Sequence, residues 1–206
     1  MFRAELDGLV CNGAKRGNKQ TYTLLAERVP RTKTITREEA LAKLAQRYFT
    51  SHCPATLQDF VWWSGLPVAD ERHALEMVKK ELISETIGSQ TYWLINSFSI
   101  PKATDKSVYL LPAFDEFVIS YKDRSAALNF ENHKKAVTIN GIFKPLIVIN
   151  GQVTGIWKRV IKKDKVVIET EFFKPPNKPS KKLIEKAAER YGRFLDKKVE
   201  MKHDSK

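Results

Sequence analysis

Apolar residues recur at helical spacing directly after Thr36. They occupy one face of a helix at intervals of three and four and comprise Ala40, Leu41, Leu44, Ala45, Tyr48 and Phe49. Thr36 and Glu39 stand at the separation of a capping box, in which each side chain accepts a hydrogen bond from the backbone amide of the other residue. The pattern predicts an amphipathic helix capped by Thr36.

Two more helices and a polar hairpin are predicted before Ile95. Thr56 and Gly65 are residue types that begin and end helices, and the apolar face between them comprises Leu57, Phe60 and Val61. A third helix is predicted over about 70–83, followed by strand, turn and strand over 84–87, 88–89 and 90–95. This order is that of a winged helix, whose third helix enters the DNA major groove while the hairpin touches the flanking backbone.

The first 30 residues repeat the ending of that unit. Residues 1–8 have the apolar positions of a last helical turn or two, and a loop over 12–19 leads to a strand over 20–25. We interpret the segment as the last helix and wing of a preceding winged helix; the alternative is a separate β-hairpin packed on the main domain. In either case Lys15, Arg16 and Lys19 form a mobile basic tip suited to DNA phosphates.

The second half of the chain predicts a small β-domain. A proline-bearing linker over 101–105 precedes strands at 108–111 and 117–120. Asn150-Gly151 is typical of a type I′ turn and joins strands over 143–149 and 153–161, after which a turn at 163–164 leads to a strand over 165–173. A final helix over about 180–195 has a basic outer face.

The predicted fold class is α+β, with a winged helix-turn-helix domain followed by a small antiparallel β-domain with a C-terminal helix. The predicted boundaries are 1–33 for the tail of the preceding winged helix, 34–100 for the winged-helix domain and 101–206 for the β-domain. A chain of 206 residues is long enough for one large or two small domains with their own cores.

Composition limits the kinds of function. No apolar run approaches the roughly 20 residues that span a bilayer, and no leader peptide begins the chain, so we expect a cytoplasmic protein without a membrane partner. Cys11 and Cys53 lack companions at zinc-ligand spacing. We therefore expect reduced, structural cysteines, no metal site and no cofactor.

The net charge of +12 favours a polyanionic partner, above all nucleic acid. Lys plus Arg against Asp plus Glu is 7 against 3 over residues 1–35, 6 against 8 over 36–100, and 23 against 13 over 101–206. The predicted winged helix is thus net −2, although phosphate neutralisation supplies much of the affinity of DNA-binding proteins. We therefore expect the flanking basic segments to contribute to binding.

Seven short sequence segments resemble those of one protein family. They are Tyr48-Phe49, His52-Cys53-Pro54-Ala55-Thr56, Asp59-Phe60-Val61-Trp62-Trp63-Ser64-Gly65-Leu66, Leu111-Pro112-Ala113-Phe114-Asp115-Glu116, Tyr121-Lys122-Asp123-Arg124-Ser125, Asn140-Gly141-Ile142-Phe143-Lys144-Pro145 and Gly155-Ile156-Trp157-Lys158-Arg159. They resemble the winged-helix DNA-binding family that contains the bacterial alkylpurine and interstrand-crosslink DNA glycosylases. The resemblance spans nearly the whole chain and implies tandem winged helices and a C-terminal β-domain folded around duplex DNA.

The resemblance also implies a difference. Members of that family are nearly twice as long, and the glutamine-bearing motif with which their glycosylases position the attacking water lies in the first winged helix, for which this chain has no equivalent. We expect the chain to correspond to the C-terminal part of such a protein, as a natural short form or a fragment, with an N-terminal winged-helix region missing. Base excision by this chain alone is not expected, and no catalytic residue is predicted.

The predicted DNA contacts are basic and imidazole side chains. They are Lys15, Arg16, Lys19, Arg72, His73, Lys79, Lys80, Lys158, Arg159, Lys182 and Lys186. Because neighbouring residues of a strand point to opposite faces, one of Lys158 and Arg159 must be exposed. The alternative for His73 is a solvated histidine, and the alternative for the last helix is an ordinary charged surface.

Six further residues are predicted to have structural roles. They are Trp62, Trp63, Asp115, Glu116, Asp123 and Arg124. One of the adjacent carboxylates is expected to pair with Arg124 or Lys122 and to attach the linker to the β-domain. At least one of the two tryptophans is expected in the core, with base stacking as the alternative role. His52 has no apparent nucleophile partner, so no catalytic triad is predicted.

The leading hypothesis is a DNA-binding protein that holds duplex DNA by a basic surface of the winged helix and the β-domain, with few sequence-specific contacts. The alternative is a truncated DNA glycosylase that lacks its N-terminal catalytic winged helix. A third hypothesis is a transcription regulator with a ligand-sensing β-domain, which predicts a symmetric dimer; no leucine-rich dimerisation helix is evident.

Overall fold

The computed structural model describes residues 2–17, 19–31, 33–97 and 107–203. They divide into two units, one within residues 1–40 and the other within 41–206, and the division falls inside the helix Arg37–Ser51. The predicted linker over 101–105, and Asn18 of the predicted basic loop, lie outside the described residues.

The first unit consists of a β-hairpin with a short helix on either side. Its elements are α1 (Phe2–Leu6), β1 (Val10–Asn12), β2 (Tyr22–Leu24) and α2 (Leu25–Arg28). The strands pair antiparallel, with Val10 opposite Leu24. None of the described residues of this unit is buried, so these residues hold no apolar core of their own.

The second unit begins with three helices and a hairpin in the predicted order. The elements are α3 (Arg37–Ser51), β3 (Ala55–Thr56), α4 (Leu57–Ser64), α5 (Val68–Val78), a 3-10 turn (Lys79–Glu81), β4 (Leu82–Ile87) and β5 (Gln90–Ile95). β5 lies between β3 and β4 and pairs antiparallel with both. The third helix is shorter than predicted because the chain tightens into the 3-10 turn after Val78 and then extends.

Side-chain caps begin α3 and α4. The Thr36 amide donates to Glu39 Oε2 at 2.8 Å, and the Glu39 amide donates to Thr36 Oγ1 at 3.2 Å. Thr56 and Asp59 form a second capping box, and Gly65 ends α4 in the left-handed conformation with a φ of 70°. These contacts confirm the predicted starts of both helices and the predicted end of the second.

Three aromatic rings form the centre of the helical core. Tyr48 and Phe49 on α3 and Phe60 on α4 have no exposed surface, and their ring centres lie 4.9 to 5.4 Å apart. Ala74 and Leu75 of α5 complete the layer. Fully burying one large apolar side chain favours folding by about 1.5–3 kcal/mol, so these rings are a main source of the unit's stability.

The remainder of the second unit is built around a five-stranded sheet. The elements are β6 (Val108–Leu111), α6 (Glu116–Ile119), a 3-10 turn (Phe130–Asn132), α7 (His133–Ala136), β7 (Leu146–Ile149), β8 (Gln152–Ile161), β9 (Lys165–Phe172), α8 (Lys178–Phe194) and β10 (Lys198–His203). The strand order is β10-β9-β8-β7-β6. The four strands from β6 to β9 are antiparallel, whereas β10 runs parallel to β9. The mixed α+β class is as predicted.

The predicted turn between β7 and β8 is confirmed. Asn150 and Gly151 have φ values of 50° and 76°, and a type I′ turn requires positive values at both positions. Ile149 and Gln152 pair on either side of the turn. This turn joins β7 to β8 and sets the register in which the two strands pair.

Two other predictions for this region are wrong. Residues 117–120 were expected to form a strand, but Asp115 Oδ1 accepts the Phe117 amide at 2.9 Å and caps the helical turn α6. The strand expected from 143 begins at Leu146, because the earlier residue Phe143 makes only an isolated bridge with Val137. The strand β10 and the helix α7 were not predicted.

The helix α8 covers one face of the sheet. Ile184 and Ala188 of this helix are buried, and Ala188 packs with Trp157 of β8. The Trp157 indole Nε1 donates to the backbone oxygen of Leu111 at 2.8 Å, so this ring also joins β8 to β6. The opposite face of the sheet packs against α6 and α7.

A guanidinium from α8 reaches the open side of the edge strand β6. Arg190 Nη2 donates to the backbone oxygen of Val108 at 3.1 Å. Within the described part of the chain, β6 has a strand neighbour on one side only. The side chain therefore satisfies a backbone acceptor that the sheet itself leaves without a strand partner.

Candidate nucleic-acid interface

The basic residues predicted in the first unit lie at the tip of the β1–β2 hairpin. Lys15, Arg16 and Lys19 are all exposed. Arg16 and Lys19 exchange backbone hydrogen bonds of 3.1 Å in both directions, and Gly17 between them has a φ of 61°. A tight hydrogen-bonded turn thus presents three cationic side chains to solvent.

The predicted contacts on the third helix are exposed as well. Arg72 and His73 lie on α5, and Lys79 and Lys80 lie in the 3-10 turn that follows. The Lys79 side chain is the more restrained of the two, since its Nζ lies 2.9 Å from Glu76 Oε1 and 5.5 Å from the centre of the Trp93 ring. A phosphate that reaches Lys79 has to compete with this carboxylate.

Lys158 and Arg159 lie on opposite faces of β8. The Arg159 guanidinium lies 5.8 Å from the centre of the Trp157 ring and 5.5 Å from that of Tyr191 on α8, so it shares the face that α8 covers. Lys158 points to the other face, where its cross-strand neighbour is Glu169. The two predicted contacts therefore cannot both belong to one surface.

The basic face of α8 borders a cleft of about 480 Å³ between this helix and β6. Lys186, Arg190 and Arg193 line the cleft together with a single carboxylate, Glu189. Lys182 is exposed one turn before Lys186. The structure thus brings Lys182 and Lys186 onto one helix face with two arginines, a grouping that the helical spacing of these residues already indicated.

The carboxylate of Glu116 connects α6 with α3 and α4. Its Oε2 lies 3.2 Å from Trp63 Nε1 and 3.6 Å from His52 Nε2, and it accepts a hydrogen bond from the Ser120 hydroxyl. The neighbouring Asp115 caps α6 instead. The two adjacent carboxylates therefore have separate structural partners.

Arg124 has aromatic and backbone partners. Its Nε donates to the backbone oxygen of Val118 at 2.6 Å, and its guanidinium lies 5.2 Å from the centre of the Trp62 ring and 5.3 Å from that of Phe143. The ion pair expected between Asp115 or Glu116 and Arg124 or Lys122 is absent among the described residues. The expectation failed because it treated charge as the only interaction open to an arginine, which also stacks on aromatic rings.

The two tryptophans of α4 occupy different environments. Trp63 packs against the helical core, whereas Trp62 is 52% exposed. The Trp62 Nε1 donates to the backbone oxygen of Ile119 at 2.9 Å, and Arg124 lies over its ring. Stacking of a base on Trp62 would have to use the part of the ring that Arg124 leaves open.

Asp59 is a buried acceptor that the sequence prediction did not single out. Its Oδ2 accepts from the Thr56 amide at 2.9 Å and the Thr56 hydroxyl at 2.7 Å, and its Oδ1 accepts from the Lys122 amide at 2.9 Å. The spacing of Thr56 and Asp59 is that of a capping box and was the available signal. The contact with Lys122 fixes the chain after α6 to the start of α4.

Burial and hydrogen bonds shift the pKa values of three groups beside this connection. Burial, with a further contribution from Asp59, raises the pKa of Tyr121 to about 12. Burial lowers the pKa of Arg124 from its usual value, and hydrogen bonds from Ser125 lower the pKa of Asp123. Near neutral pH the phenol is therefore uncharged and the Asp123 carboxylate ionised.

His52 lies between a hydroxyl and a carboxylate, although no nucleophile partner was expected. Ser51 Oγ lies 2.8 Å from His52 Nδ1, and Glu116 Oε2 lies 3.6 Å from His52 Nε2. The Ser51 hydroxyl also bonds to the backbone oxygen of Arg47 at 2.8 Å, one turn earlier in α3. A nucleophilic serine has to transfer its proton to the imidazole, whereas the Ser51 hydroxyl donates its hydrogen bond to the helix backbone. This arrangement therefore stabilises the end of α3 and does not have the hydrogen bonding of a catalytic triad.

Residue types that bind metal ions are dispersed. Within the described ranges, no three His, Cys, Asp or Glu side chains are placed to hold a metal ion. Cys11 and Cys53 are free and partly buried. Over the same ranges no helix is both long and apolar enough to cross a membrane.

Similarity to known proteins covers nearly the whole chain. The profile of the family described as "DNA glycosylase AlkZ-like" matches residues 1–194. The interstrand DNA cross-link repair glycosylase of Streptomyces sahachiroi is 25% identical over an alignment of 190 residues, and the match covers 88% of this chain and 50% of that protein. The solved structure of Streptomyces sahachiroi DNA glycosylase AlkZ shares the fold with a TM-score of 0.75 at 21% identity, over 95% of this chain and 54% of that one. The chain thus spans about half the length of the relatives it matches.

Proposed function

The chain belongs to the AlkZ-like DNA glycosylase family, and we propose that it binds duplex DNA through phosphate contacts, as the part of a DNA-repair protein that holds the double helix. The observation that carries this proposal is the basic face of α8. Lys182 lies on this face, and Lys186, Arg190 and Arg193 on the same helix border a cleft with only one carboxylate. Lysine and arginine are the side chains that neutralise phosphates and release their counterions.

We also propose that residues 34–100 are a winged helix whose α5 faces the DNA groove, and that residues 101–206 are the β-domain. The order of α3, β3, α4 and α5 before the β4–β5 hairpin supports this assignment, because a winged helix ends its helical part with a hairpin. Arg72 on α5 and Lys80 in the turn that follows this helix are exposed. Since the segment is net −2, its contacts position the DNA while other basic segments supply most of the affinity.

Residues 1–33 are proposed to be the last helix and wing of a further winged helix. In support, α1 is followed by an antiparallel hairpin, as α5 is followed by β4 and β5. The apolar side chains of Phe2 and Leu6 are 74% and 68% exposed, which is unusual for a helix that has its own packed layer. The cations at the hairpin tip then act as a further phosphate contact.

Lys186 and Lys158 lie on opposite faces of the sheet, so replacing each one separately tests which face meets the DNA. On the proposed α8 face, Lys186→Gln is expected to weaken duplex binding and to reduce the slope of log affinity against log salt by about 1, the effect of one lost phosphate contact. Lys158→Gln removes the same charge from the other face of the sheet and is expected to leave the slope unchanged. Fluorescence anisotropy of a labelled duplex at several salt concentrations measures both.

Two outcomes contradict this proposal. If the unaltered chain binds duplex DNA with an affinity indifferent to salt, phosphate contacts do not hold it. If Lys158→Gln lowers the slope and Lys186→Gln does not, the DNA meets the sheet face opposite α8.

Base excision is the second candidate function, and membership of a glycosylase family favours it. The chain alone is expected to release no base. Two carboxylates that could act on a substrate have structural partners instead: Asp59 accepts hydrogen bonds from Thr56 and Lys122, and Glu116 accepts them from Trp63 and Ser120. The measurement is alkaline strand cleavage at abasic sites after incubation with an alkylated duplex. Cleavage above that of a heat-denatured control would show that this chain excises bases unaided.

A further inference from the structure

A half-open pocket of about 320 Å³ lies within the second unit, between the β4–β5 hairpin and the chain that follows α6. Its lining includes three aromatic side chains, Tyr92, Phe117 and Tyr121. Pockets that bind small molecules begin at about 300 Å³ and combine mostly apolar walls with a few polar groups. This pocket therefore has the size and composition of a small-ligand site.

Three charged side chains line the same pocket: Asp59, Asp123 and Arg124. Two of them are already engaged, since Asp59 accepts three hydrogen bonds and Arg124 donates to a backbone oxygen between two aromatic rings. Asp123 accepts the Ser125 amide through Oδ1 at 2.9 Å and is exposed. A carboxylate has about four acceptor positions, so Asp123 keeps capacity for a ligand.

The charge of this pocket is opposite to that of the chain. Two carboxylates and one guanidinium give the lining a net charge of −1, whereas the chain carries +12. A phosphate would meet the Asp123 carboxylate and the aromatic rings, whose negative faces repel anions and attract cations. The Arg124 guanidinium in the same lining is already held by the Val118 oxygen and lies over the rings of Trp62 and Phe143. The pocket therefore differs chemically from the basic cleft beside α8.

We propose that this pocket binds a small planar aromatic cation, packed against Tyr92, Phe117 and Tyr121 with Asp123 as its counter-charge. Planarity suits a pocket with three aromatic side chains, because offset stacking and edge contacts bury a flat ring fully. The positive charge is favoured by the ring quadrupoles and by the ionised carboxylate together. This binding is separate from phosphate contact and goes beyond the proposed function.

Three probes with the same ring system and different charge test the proposal. N-methylquinolinium, quinoline and quinoline-4-carboxylate are titrated into the full chain at pH 7.5 by isothermal calorimetry. The cation is expected to bind about tenfold more tightly than the neutral ring, because it alone gains contacts with the ring faces and with the Asp123 counter-charge, and the anion is expected not to bind.

Variants connect this preference to the pocket. Asp123→Asn keeps the acceptor for the Ser125 amide and is expected to reduce the cation's affinity to that of quinoline, whereas Glu131→Gln removes an exposed carboxylate outside the lining and is expected to have no effect. Tyr92→Ala is expected to weaken the cation and the neutral ring alike, with thermal unfolding of each variant confirming that it is folded. The proposal fails if no probe binds at millimolar concentration, if quinoline equals the cation, or if Asp123→Asn and Glu131→Gln behave alike.

Discussion

Tyr48→Ala is expected to lower the free energy of unfolding by about 3–5 kcal/mol, the cost of truncating a fully buried aromatic side chain. The Tyr48 ring has no exposed surface and lies 4.8 Å from the ring of His52, 4.9 Å from that of Phe60 and 5.0 Å from that of Trp63. Its removal leaves a cavity where α3, α4 and the residues after α6 meet. Urea unfolding followed by tryptophan fluorescence and by circular dichroism measures the loss.

Two substitutions separate the ring from other effects at that position. Tyr48→Phe keeps the ring and loses only the hydrogen bond of 3.3 Å to the Ser120 backbone oxygen, so we expect a change of about 1 kcal/mol or less. Tyr109→Ala truncates a ring that is 50% exposed and is expected to cost far less than Tyr48→Ala. Equal losses for Tyr48→Ala and Tyr109→Ala would contradict the described core.

Glu71→Met is expected to stabilise the protein by about 1–2 kcal/mol near neutral pH. The Glu71 side chain is fully buried, and among the residues that the structure describes neither carboxylate oxygen has a hydrogen-bond partner of ordinary geometry. A buried, unsatisfied polar group costs about 1–3 kcal/mol, from which the favourable position of a carboxylate in the first turn of α5 subtracts about 0.3–1 kcal/mol. Methionine fills a similar volume without polar oxygens.

The gain from Glu71→Met is expected to depend on pH. Burial raises the pKa of Glu71 above its usual value of 4.5, and the nearby Ser64 hydroxyl offsets part of the rise. Because the folded state then holds this proton more tightly than the unfolded state, the unfolding free energy falls as pH rises from about 4.5 toward the folded pKa. The difference between variant and parent should thus be small at pH 4 and reach its full size above the folded pKa.

Thermal and urea unfolding of parent and variant between pH 4 and 8 measure this difference. Glu76→Gln, on an exposed position of the same helix, is the control and is expected to change stability by less than about 0.5 kcal/mol at every pH. A gain from Glu71→Met that is the same at pH 4 and pH 7 would show that ionisation of the buried carboxyl group is not the cause.

Local features of the fold were predictable because their causes lie within a few residues of each other. Thr36 and Glu39 form their capping box inside one helical turn, and Asn150-Gly151 fixes a turn through its own backbone angles. The three helices and the hairpin after Thr36 were predicted on the same grounds. Helix α6 is the exception, since a capping aspartate overrode a segment whose composition favours a strand.

The strand β10 was not predicted because its stability comes from a distant segment. Val199 and Met201 are its only regularly spaced apolar positions, and the residues next to them are charged. The strand forms by parallel pairing with β9 after α8 has crossed the sheet. Parallel pairs require such long connections, which no local pattern in residues 198–203 reveals.

The candidate site was predictable by residue type but not by arrangement. Side chains alternate between the two faces of a strand, which places Lys158 and Arg159 on opposite faces. Only the position of α8 shows that Arg159 lies on the sheet face that this helix covers. Likewise, Trp63 and Glu116 were both selected from the sequence as structural residues, but they lie 53 residues apart. Their hydrogen bond depends on how α4 packs beside α6. Contacts of this range follow from tertiary packing alone.

The hydrogen bond from Arg190 to Val108 has a consequence for self-association. An exposed strand border is a template on which another molecule's backbone can add, and natural proteins hinder this with charged side chains. Here a guanidinium already occupies one acceptor of that border, and Lys186 and Arg193 stand beside it. Two copies of the chain that approach through this border would have to bring like charges together. The basic residues proposed to contact phosphates therefore also hinder β-sheet pairing between molecules at the β6 border.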